Sequence, residues 1–308
     1  MTVKNIAFLS VLAAVIISGC LGSGTATSNV QFSQTAGAVI TDFSFESKDV
    51  FEGDPVQLVL RMQNVGAKNM TDNSRVWVYG PVVGSTGTEI WTTSNKNNLT
   101  ITLDTSGFLP PDVARKMPGS LDGETIDLVA PTIGLAPGMT RDYQFFARLC
   151  YPYSTTAYSS IKGVSKNELR ISNPTPSDAI TRDTAGPIQL KLVSGDTMIT
   201  GRDMMLVFDV TNVGGGFSTT QTTPCASQIP DVSSLNLDKV NITVTVDGKV
   251  VSGCDSKEIS VRNGKGTISC KASGITSSDP STEHTIKATA TYNYFVTKDA
   301  AITVKSNQ

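Results

Sequence analysis

The stretch GDPVQLVLRMQNVG, at Gly53–Gly66, recurs as GRDMMLVFDVTNVG at Gly201–Gly214. The offset is 148 residues without a gap, and both copies end in Asn-Val-Gly. A second match lies downstream, where Cys150–Tyr153 (CYPY) parallels Thr291–Tyr294 (TYNY). Because self-similarity at a fixed offset is the signature of a repeated structural unit, the sequence predicts two copies of one module.

Each copy is predicted to consist of β-strands. At Ile242–Val246, apolar residues alternate with threonines, which is typical of a strand with one buried and one wet face. The Asn-Val-Gly ending is predicted to close a strand, because Gly accepts left-handed backbone angles and Asn hydrogen-bonds its neighbouring backbone. Asp247-Gly248 and Asn263-Gly264 are predicted as two-residue hairpin turns, and Pro111–Met117 as a short helix.

Two segments interrupt this pattern. The first copy has an extra stretch at about 104–122, from Asp104 to Asp122, which has no counterpart in the second and is predicted to be a long loop. Residues 174–186 lack apolar periodicity and are predicted to link the modules. The predicted organisation is a signal peptide (1–19), a flexible tether (20–37), a first sandwich (38–173), the linker (174–186) and a second sandwich (187–306).

Charge and composition exclude several classes of function. The 308 residues contain 25 Lys and Arg against 27 Asp and Glu, a net charge of −2, which argues against nucleic acid as a partner. The single histidine, His284, argues against most zinc hydrolases and Ser-His-Asp enzymes, which need imidazole ligands or bases. We therefore expect no cofactor, no metal site, no catalytic residues and no enzymatic activity.

The N-terminus is predicted to be a targeting segment. Lys4 precedes an apolar run at Ile6–Ile17, which has the length of a signal peptide and is too short to span a bilayer. Ile17–Cys20 (ISGC) resembles the lipobox of prokaryotic lipoproteins. The resemblance implies cleavage before Cys20, a lipid on Cys20, and a location on the extracytoplasmic face of the membrane, with an ordinary signal peptide as the alternative.

The residues from Val50 to Gly66 resemble the start of CARDB-type modules, the immunoglobulin-like β-sandwiches of many prokaryotic, especially archaeal, surface proteins. In those modules a Gly-Asp turn opens a long strand that ends in an Asn-x-Gly turn, and the second copy departs from this at Arg202, where the first has Asp54. The resemblance implies an all-β fold of two tandem immunoglobulin-like sandwiches that serve as spacers or binding scaffolds.

Four cysteines remain after Cys20, and outside the cytoplasm they are expected to form disulfides. The sequence favours a Cys254–Cys270 bridge, although a hairpin at Asn263-Gly264 would not place these two residues opposite each other. Cys225 is the competing partner, and Cys150 is either a buried thiol or a bridge between the modules.

Other residues are candidates for modification or binding. Three Asn-x-Ser/Thr sequons make Asn69, Asn98 and Asn241 candidates for glycosylation. His284 beside Glu283 could titrate near neutral pH, although a packed histidine is the simpler interpretation. Trp77, Tyr79 and Trp91 are candidates for ligand binding, although packing in the sheet core is the simpler interpretation. The Tyr151/Tyr153 and Tyr292/Tyr294 pairs are expected to pack the sandwich.

Two hypotheses of function follow. The first is a non-catalytic, lipid-anchored surface protein acting in adhesion or in envelope structure and assembly, whose partners are the membrane and neighbouring surface proteins or glycans. The second is a module that captures a glycan or peptide through the first sandwich. Exposed tryptophans would favour the second and buried tryptophans the first; an accessory subunit of a surface enzyme is not distinguished from either.

Overall fold

A computed structural model describes residues 32–71, 73–80, 91–93, 100–105, 107–172, 179–220, 225, 236–273, 275 and 281–307. Within them the chain is nearly all β-strand. The strands of the first repeat are β1 (Ala38–Phe45), β2 (Asp49–Phe51), β3 (Pro55–Asn64), β4 (Arg75–Tyr79), β5 (Thr92–Thr93), β6 (Thr100–Asp104), β7 (Leu121–Val129) and β8 (Thr140–Val164). After helix α1 (Lys166–Ser172) come β9 (Thr181–Asp183), β10 (Ile188–Leu192), β11 (Thr197–Ile199), β12 (Met204–Asn212), β13 (Phe217–Thr219), β14 (Lys239–Val246), β15 (Lys249–Val250), β16 (Lys257–Ser260), β17 (Lys265–Ala272) and β18 (Ser281–Lys305).

The last strand of each repeat is exceptionally long. β8 and β18 have 25 residues each and pair antiparallel along their whole length, from Thr140 opposite Lys305 to Val164 opposite Ser281. A usual strand has about 5 to 6 residues. At a rise of about 3.3 Å per residue, this two-stranded ribbon is about 80 Å long.

The ribbon has an internal two-fold pseudosymmetry. Residues of β8 correspond to residues 141 positions later in β18, since Thr140 and Ser281 begin the two strands (281 − 140 = 141). Pro152 is paired with Asn293, which is its own counterpart in the second repeat (152 + 141 = 293). The pseudo-two-fold axis therefore passes through this pair of residues.

Because the strands are antiparallel about that axis, the repeats exchange their ends. The first half of β8 pairs with β4 of its own repeat, whereas its last residues pair with β11 of the second repeat. Likewise, β18 pairs with β14 at its start and with β2 of the first repeat at its end. Each repeat thus completes the large sheet of the other.

Two smaller sheets pack on the ribbon. One has the order β1-β3-β7-β5 and the other the order β10-β12-β17, and both face the eleven-stranded sheet that contains β8 and β18. Odd-numbered residues of β8 are buried towards them along the strand, including Phe145, Leu149, Ala157 and Ile161. The all-β prediction with immunoglobulin-like sandwich packing is therefore confirmed.

The Asn-Val-Gly endings close their strands as predicted. Asn64 Oδ1 accepts from the Gly66 amide at 3.1 Å, and its Nδ2 donates to the Lys68 carbonyl at 2.8 Å. Asn212 makes the corresponding bonds in the second repeat, to the Gly214 amide at 3.2 Å and the Gly216 carbonyl at 2.8 Å. The side chain satisfies backbone groups where the strand ladder stops.

Two predictions of local structure need correction. Pro111–Met117 is not a helix: the backbones of Asp112 and Met117 bond to each other across a turn. The α-helix of the described chain is α1, which apolar periodicity does not reveal because it has seven residues; a 3-10 helix of three residues lies at Arg262–Gly264. Ser165 Oγ accepts from the Glu168 amide at 3.1 Å, so the Ser-x-x-Glu spacing of a capping box was the available signal.

The two predicted hairpin turns have different outcomes. Asp247-Gly248 joins the paired strands β14 and β15 with positive φ angles of 49° and 79°, as predicted. Asn263-Gly264 also has positive φ angles but does not form a hairpin. β16 pairs with β14 and β17 pairs with β12, so this turn carries the chain from the large sheet to the small one.

Candidate functional site

The targeting residues and one sequon lie outside the described part of the chain: residues 1–19, Cys20 and Asn98. The described chain starts against the end of β3, where the Ser33 amide donates to the Val65 carbonyl at 2.8 Å. None of the described helices is long and apolar enough to cross a membrane.

Both tryptophans are buried and form no exposed ligand groove, as the core-packing interpretation expects. Trp77 is 0% exposed and packs with Cys150, Cys225 and Phe295 on the outer face of the large sheet. Trp91 is 3% exposed, and its ring centroid is 5.1 Å from that of Phe145 inside the first sandwich. Their side chains are covered by packing and are not open to a ligand. This outcome favours the first hypothesis, a non-catalytic surface protein.

Tyr79, the third predicted ligand contact, is half-buried and held by its neighbours. Its hydroxyl accepts from Arg148 Nη2 at 2.8 Å, and the Arg148 guanidinium lies 5.3 Å from its ring centroid. The ring also stacks on Phe146 with centroids 5.5 Å apart. Burial raises the pKa of Tyr79 although Arg148 opposes the shift, so the phenol is neutral and serves as a hydrogen-bond acceptor.

Two buried disulfides cross-link the described structure. Cys254 bonds to Cys270, which joins the loop after β15 in the large sheet to β17 in the small sheet. The sequence left Cys225 open as a competitor, and in the structure Cys225 bonds to Cys150 of the first repeat instead. The expected difficulty with Cys254 disappears because the turn at Asn263-Gly264 is not a hairpin.

The four tyrosines surround the pseudo-two-fold axis and are buried. Ring centroids of Tyr151 and Tyr153 are 5.9 Å apart, and those of Tyr292 and Tyr294 are 6.1 Å apart. Burial raises the pKa of Tyr151 and Tyr292, and raises that of Tyr294 to about 12. All four are therefore neutral core residues, and the hydroxyls of Tyr153, Tyr292 and Tyr294 also bond to the backbone.

The hydroxyls of equivalent tyrosines hold equivalent turns. Tyr294 Oη accepts from the Gly216 amide at 2.8 Å and donates to Asn212 Oδ1 at 2.7 Å. Tyr153 Oη accepts from the Ala67 amide at 3.0 Å and donates to the Ala185 carbonyl at 3.0 Å. The tyrosine pairs thus fasten the ends of β3 and β12 to the ribbon.

Tyr294→Phe is expected to lower the free energy of unfolding by about 1 to 3 kcal/mol, because the Gly216 amide and the Asn212 side chain would each lose a partner. Urea unfolding followed by circular dichroism measures this effect. Tyr158→Phe is the matched control, since Tyr158 is 46% exposed and its loss should change little. Equal stability of Tyr294→Phe and the parent protein would contradict the role given to this hydroxyl.

A groove of about 430 Å³ lies where the two repeats meet, and we call it the median groove. Two sequon residues, Asn69 and Asn241, converge on it from different repeats. Pro152 and Asn293, the pair on the pseudo-two-fold axis, are among its lining residues. The rest of the lining is Lys68, Thr71, Tyr153, Ser154, Thr220, Thr291 and Tyr292.

The polar groups of the median groove are partly uncommitted. Lys68 Nζ donates to Ser154 Oγ, and burial, together with the charge of Lys287, lowers the pKa of Lys68. By contrast, four other side chains of the groove form no hydrogen bond with the described residues and are free to bind a ligand or solvent: Asn69, Thr71, Asn241 and Thr291. The sequence indicated two of these through their sequons, but not that they meet.

His284 is a buried, paired histidine. Its Nδ1 lies 2.7 Å from Asp247 Oδ2, and Asp247 Oδ1 accepts from the Thr285 amide at 2.9 Å. The other ring nitrogen, Nε2, is buried without a hydrogen bond, beside Gly163. A Cβ at residue 163 would lie 2.7 Å from Nε2, so only glycine fits there. This arrangement fixes the ring in the fold.

The contacts of Asp247 predict a loss of stability in acid. Burial raises its pKa, but the hydrogen bonds from His284 and Thr285 outweigh this and hold the pKa below its usual value. The contribution is therefore present above pH about 4 and is lost as the pH falls through the lower folded-state pKa. Urea unfolding from pH 6 down to 2 should show this loss, and Asp247→Asn should lack it; parallel curves would contradict the prediction.

Comparisons with known proteins give no family. No family model matches the chain, and no curated protein matches it. Similar solved structures include the C-terminal globular domain of an oligosaccharyltransferase from Pyrococcus abyssi, at 8% identity and a TM-score of 0.23. That match covers 85% of this chain and 46% of the other, so this chain corresponds to about half its length.

The adhesin CfaE of enterotoxigenic E. coli is also matched, at 8% identity and a TM-score of 0.09, over 89% of this chain and 86% of the other. A point mutant of the same adhesin gives a TM-score of 0.10. At these TM-scores the similarities carry no argument about fold or function.

Proposed function

We propose that this protein is a non-catalytic, lipid-anchored component of a prokaryotic cell surface that acts in adhesion or in envelope structure and assembly. The observation that carries the proposal is the unbroken ribbon of β8 and β18, in which all 25 positions are paired across both repeats. A long, doubly hydrogen-bonded strand pair with sandwiches at both ends is suited to hold other molecules at a fixed distance.

The chemistry of the described chain supports this interpretation. The cross-linked cysteines fit an oxidising compartment, which agrees with export. Trp77 and Trp91, two of the three aromatic residues considered for ligand binding, are buried by packing instead. The CARDB-like pattern at Val50–Gly66 adds a resemblance to modules that act as spacers and scaffolds.

The anchor is tested first at the N-terminus. We expect mass spectrometry of the protein isolated from membranes to find residue 20 as the first residue, carrying acyl chains, and Cys20→Ser to release the protein from the membrane fraction. An unmodified Cys20 or an intact Met1 would refute lipidation. Two acyl chains are needed for stable attachment, because one holds only marginally.

The structural role is tested on cells. Chemical cross-linking at the surface, followed by identification of neighbouring proteins, should recover envelope components with the parent protein and fewer with the Cys20→Ser variant. A deletion strain should lose adhesion or envelope integrity and regain it with the parent gene. Normal adhesion and integrity in the deletion strain would oppose the proposal.

A second candidate function is ligand capture in the median groove. It is favoured by the uncommitted amide and hydroxyl groups of Asn69, Thr71, Asn241 and Thr291, which are suited to a polyhydroxylated ligand such as a glycan. Calorimetry with neutral and acidic oligosaccharides tests it, with Thr291→Val as the variant and Thr289→Val as the matched control on the same strand. If none of the oligosaccharides binds, glycan capture in the median groove is refuted.

A further inference from the structure

The extra loop of the first repeat exposes apolar side chains. Four large residues in this short stretch are more than half exposed: Leu109 (57%), Val113 (59%), Met117 (56%) and Leu121 (61%). Clustered exposed apolar surface marks contact sites for proteins or membranes. The second repeat has no corresponding stretch in its sequence, so within the described residues this group of exposed apolar side chains belongs to the first repeat.

Hydrogen bonds hold the backbone of this loop in a fixed conformation. Asp112 and Met117 exchange two hydrogen bonds of 2.9 Å, and below them the Ser120 amide donates to the Leu109 carbonyl at 2.9 Å. The stem is fixed to the end of β3, because Asn64 Nδ2 donates to the Phe108 carbonyl at 2.8 Å. Residues 113–116 therefore form the tip of a short hairpin, and we call residues 109–121 the apolar hairpin.

The N-terminal segment meets the body beside this hairpin. The Asn64 amide donates to the Ser120 carbonyl of the hairpin, and the next residue, Val65, accepts from the Ser33 amide. The stretch that joins the body to Cys20 therefore starts within two residues of the hairpin stem. The twelve residues between Cys20 and Ser33 reach about 45 Å at most, so a lipid on Cys20 would hold Ser33, beside the hairpin stem, within about 45 Å of the bilayer.

The charges at the tip suit an anionic lipid surface. Lys116 is exposed and forms no ion pair within the described residues, whereas Arg115 Nε lies 3.6 Å from Asp112 Oδ2. The apolar hairpin therefore carries two positive charges, on Arg115 and Lys116, against one negative charge, on Asp112. Apolar side chains interleaved with cations are the composition of segments that lie in a membrane interface.

We propose that the apolar hairpin is a second membrane contact, which inserts Val113 and Met117 between anionic lipid headgroups and so fixes the orientation of the anchored protein. The proposal rests on the lipid anchor for its place at the membrane, but not for the contact itself. A lipid anchor alone leaves a body free to tumble on its tether, whereas a second contact sets the direction in which the ribbon points.

The test uses the mature chain from residue 20 with Cys20→Ser, so that no lipid is attached and every described residue is present. Sedimentation with vesicles of phosphatidylglycerol should carry this protein down, and vesicles of phosphatidylcholine should carry down less. Val113→Asp with Met117→Asp should weaken binding about 100-fold, since each buried side chain contributes about a factor of ten. Lys116→Gln should weaken it about five-fold.

The matched control is Val250→Asp with Met205→Asp, since these residues of the second repeat are 51% and 52% exposed. This variant should bind like the parent. An unlipidated parent that stays in the supernatant with both lipids overturns the proposal, as does equal loss in both double variants. A dimer in lipid-free solution that Val113→Asp dissociates would assign the hairpin to a second copy instead. None of these results bears on the anchor, which the mass of the N-terminus decides.

Discussion

Replacing Cys150 and Cys225 together by alanine is expected to lower the free energy of unfolding by about 4 kcal/mol. This bridge closes a loop with a sequence separation of 75 residues, and the loss of chain entropy in the unfolded state grows with loop length. The change should also alter tryptophan emission in the folded protein, because Cys150 and Cys225 pack against Trp77.

Guanidinium unfolding measures the stability, and the fluorescence of the native state measures the packing. The control is Cys254→Ala with Cys270→Ala, which opens a loop with a separation of 16 residues and should cost about 3 kcal/mol. That pair lies outside the Trp77 cluster, so native emission should not change. If both double variants shift the emission equally, the disulfide does not hold the Trp77 cluster.

The sequence reveals the repeat, the strands and one of the hairpin turns for local reasons. A period of two in Ile242–Val246 and the Asp247-Gly248 dipeptide need only neighbouring residues to be interpreted. The tyrosine pairs at Tyr151 and Tyr292 were likewise expected to pack the core, because residues two apart on a strand share a face. Strand periodicity and turn-forming dipeptides therefore predict these local features without knowledge of distant contacts.

The sequence does not predict that the two repeats exchange the ends of β8 and β18, because buried and exposed residues alternate in the same way before and after Pro152. A proline inside a strand normally suggests an edge. In the structure β4 leaves β8 at Cys150 and β9 joins it only at Ala157, so no described strand covers that side of β8 between them. Pro152 occupies this gap, and its missing amide hydrogen costs no ladder bond there.

The candidate sites depend on contacts between distant residues. Ser154 and Thr291 face each other through the register of the ribbon, which brings Asn69 and Asn241 to one groove although 172 residues separate them (241 − 69 = 172). Trp77 is a candidate ligand residue in the sequence because it occurs only in the first module, beside its extra loop, but the sequence does not tell whether another segment covers the outer face of its strand. The covering segment includes Cys225, which the disulfide places there.

Cutting the chain between the repeats is expected to leave one folded complex. A protease site placed between Ser172 and Ala179, in a protein that also carries Cys150→Ala and Cys225→Ala, allows the halves to be separated without a covalent link. Because all 25 positions of β8 pair with β18, the cut protein should elute as a single species in gel filtration. The uncut protein with the same site is the control.

Either half by itself is expected not to fold. The second repeat alone would keep β14 beside the start of β18 but would expose the end of β18, where Ile302 and Val304 are buried only because the first repeat covers them. The loss of the other strand removes a hydrogen-bonded neighbour along the whole ribbon, which is more than a domain of marginal stability can tolerate. Circular dichroism of the isolated halves should therefore show unfolded chains that regain β-structure on mixing. Halves that elute separately and unfold cooperatively would show that each repeat is an independent domain, in which case the ribbon could not be the stiff element on which the proposed spacing role depends.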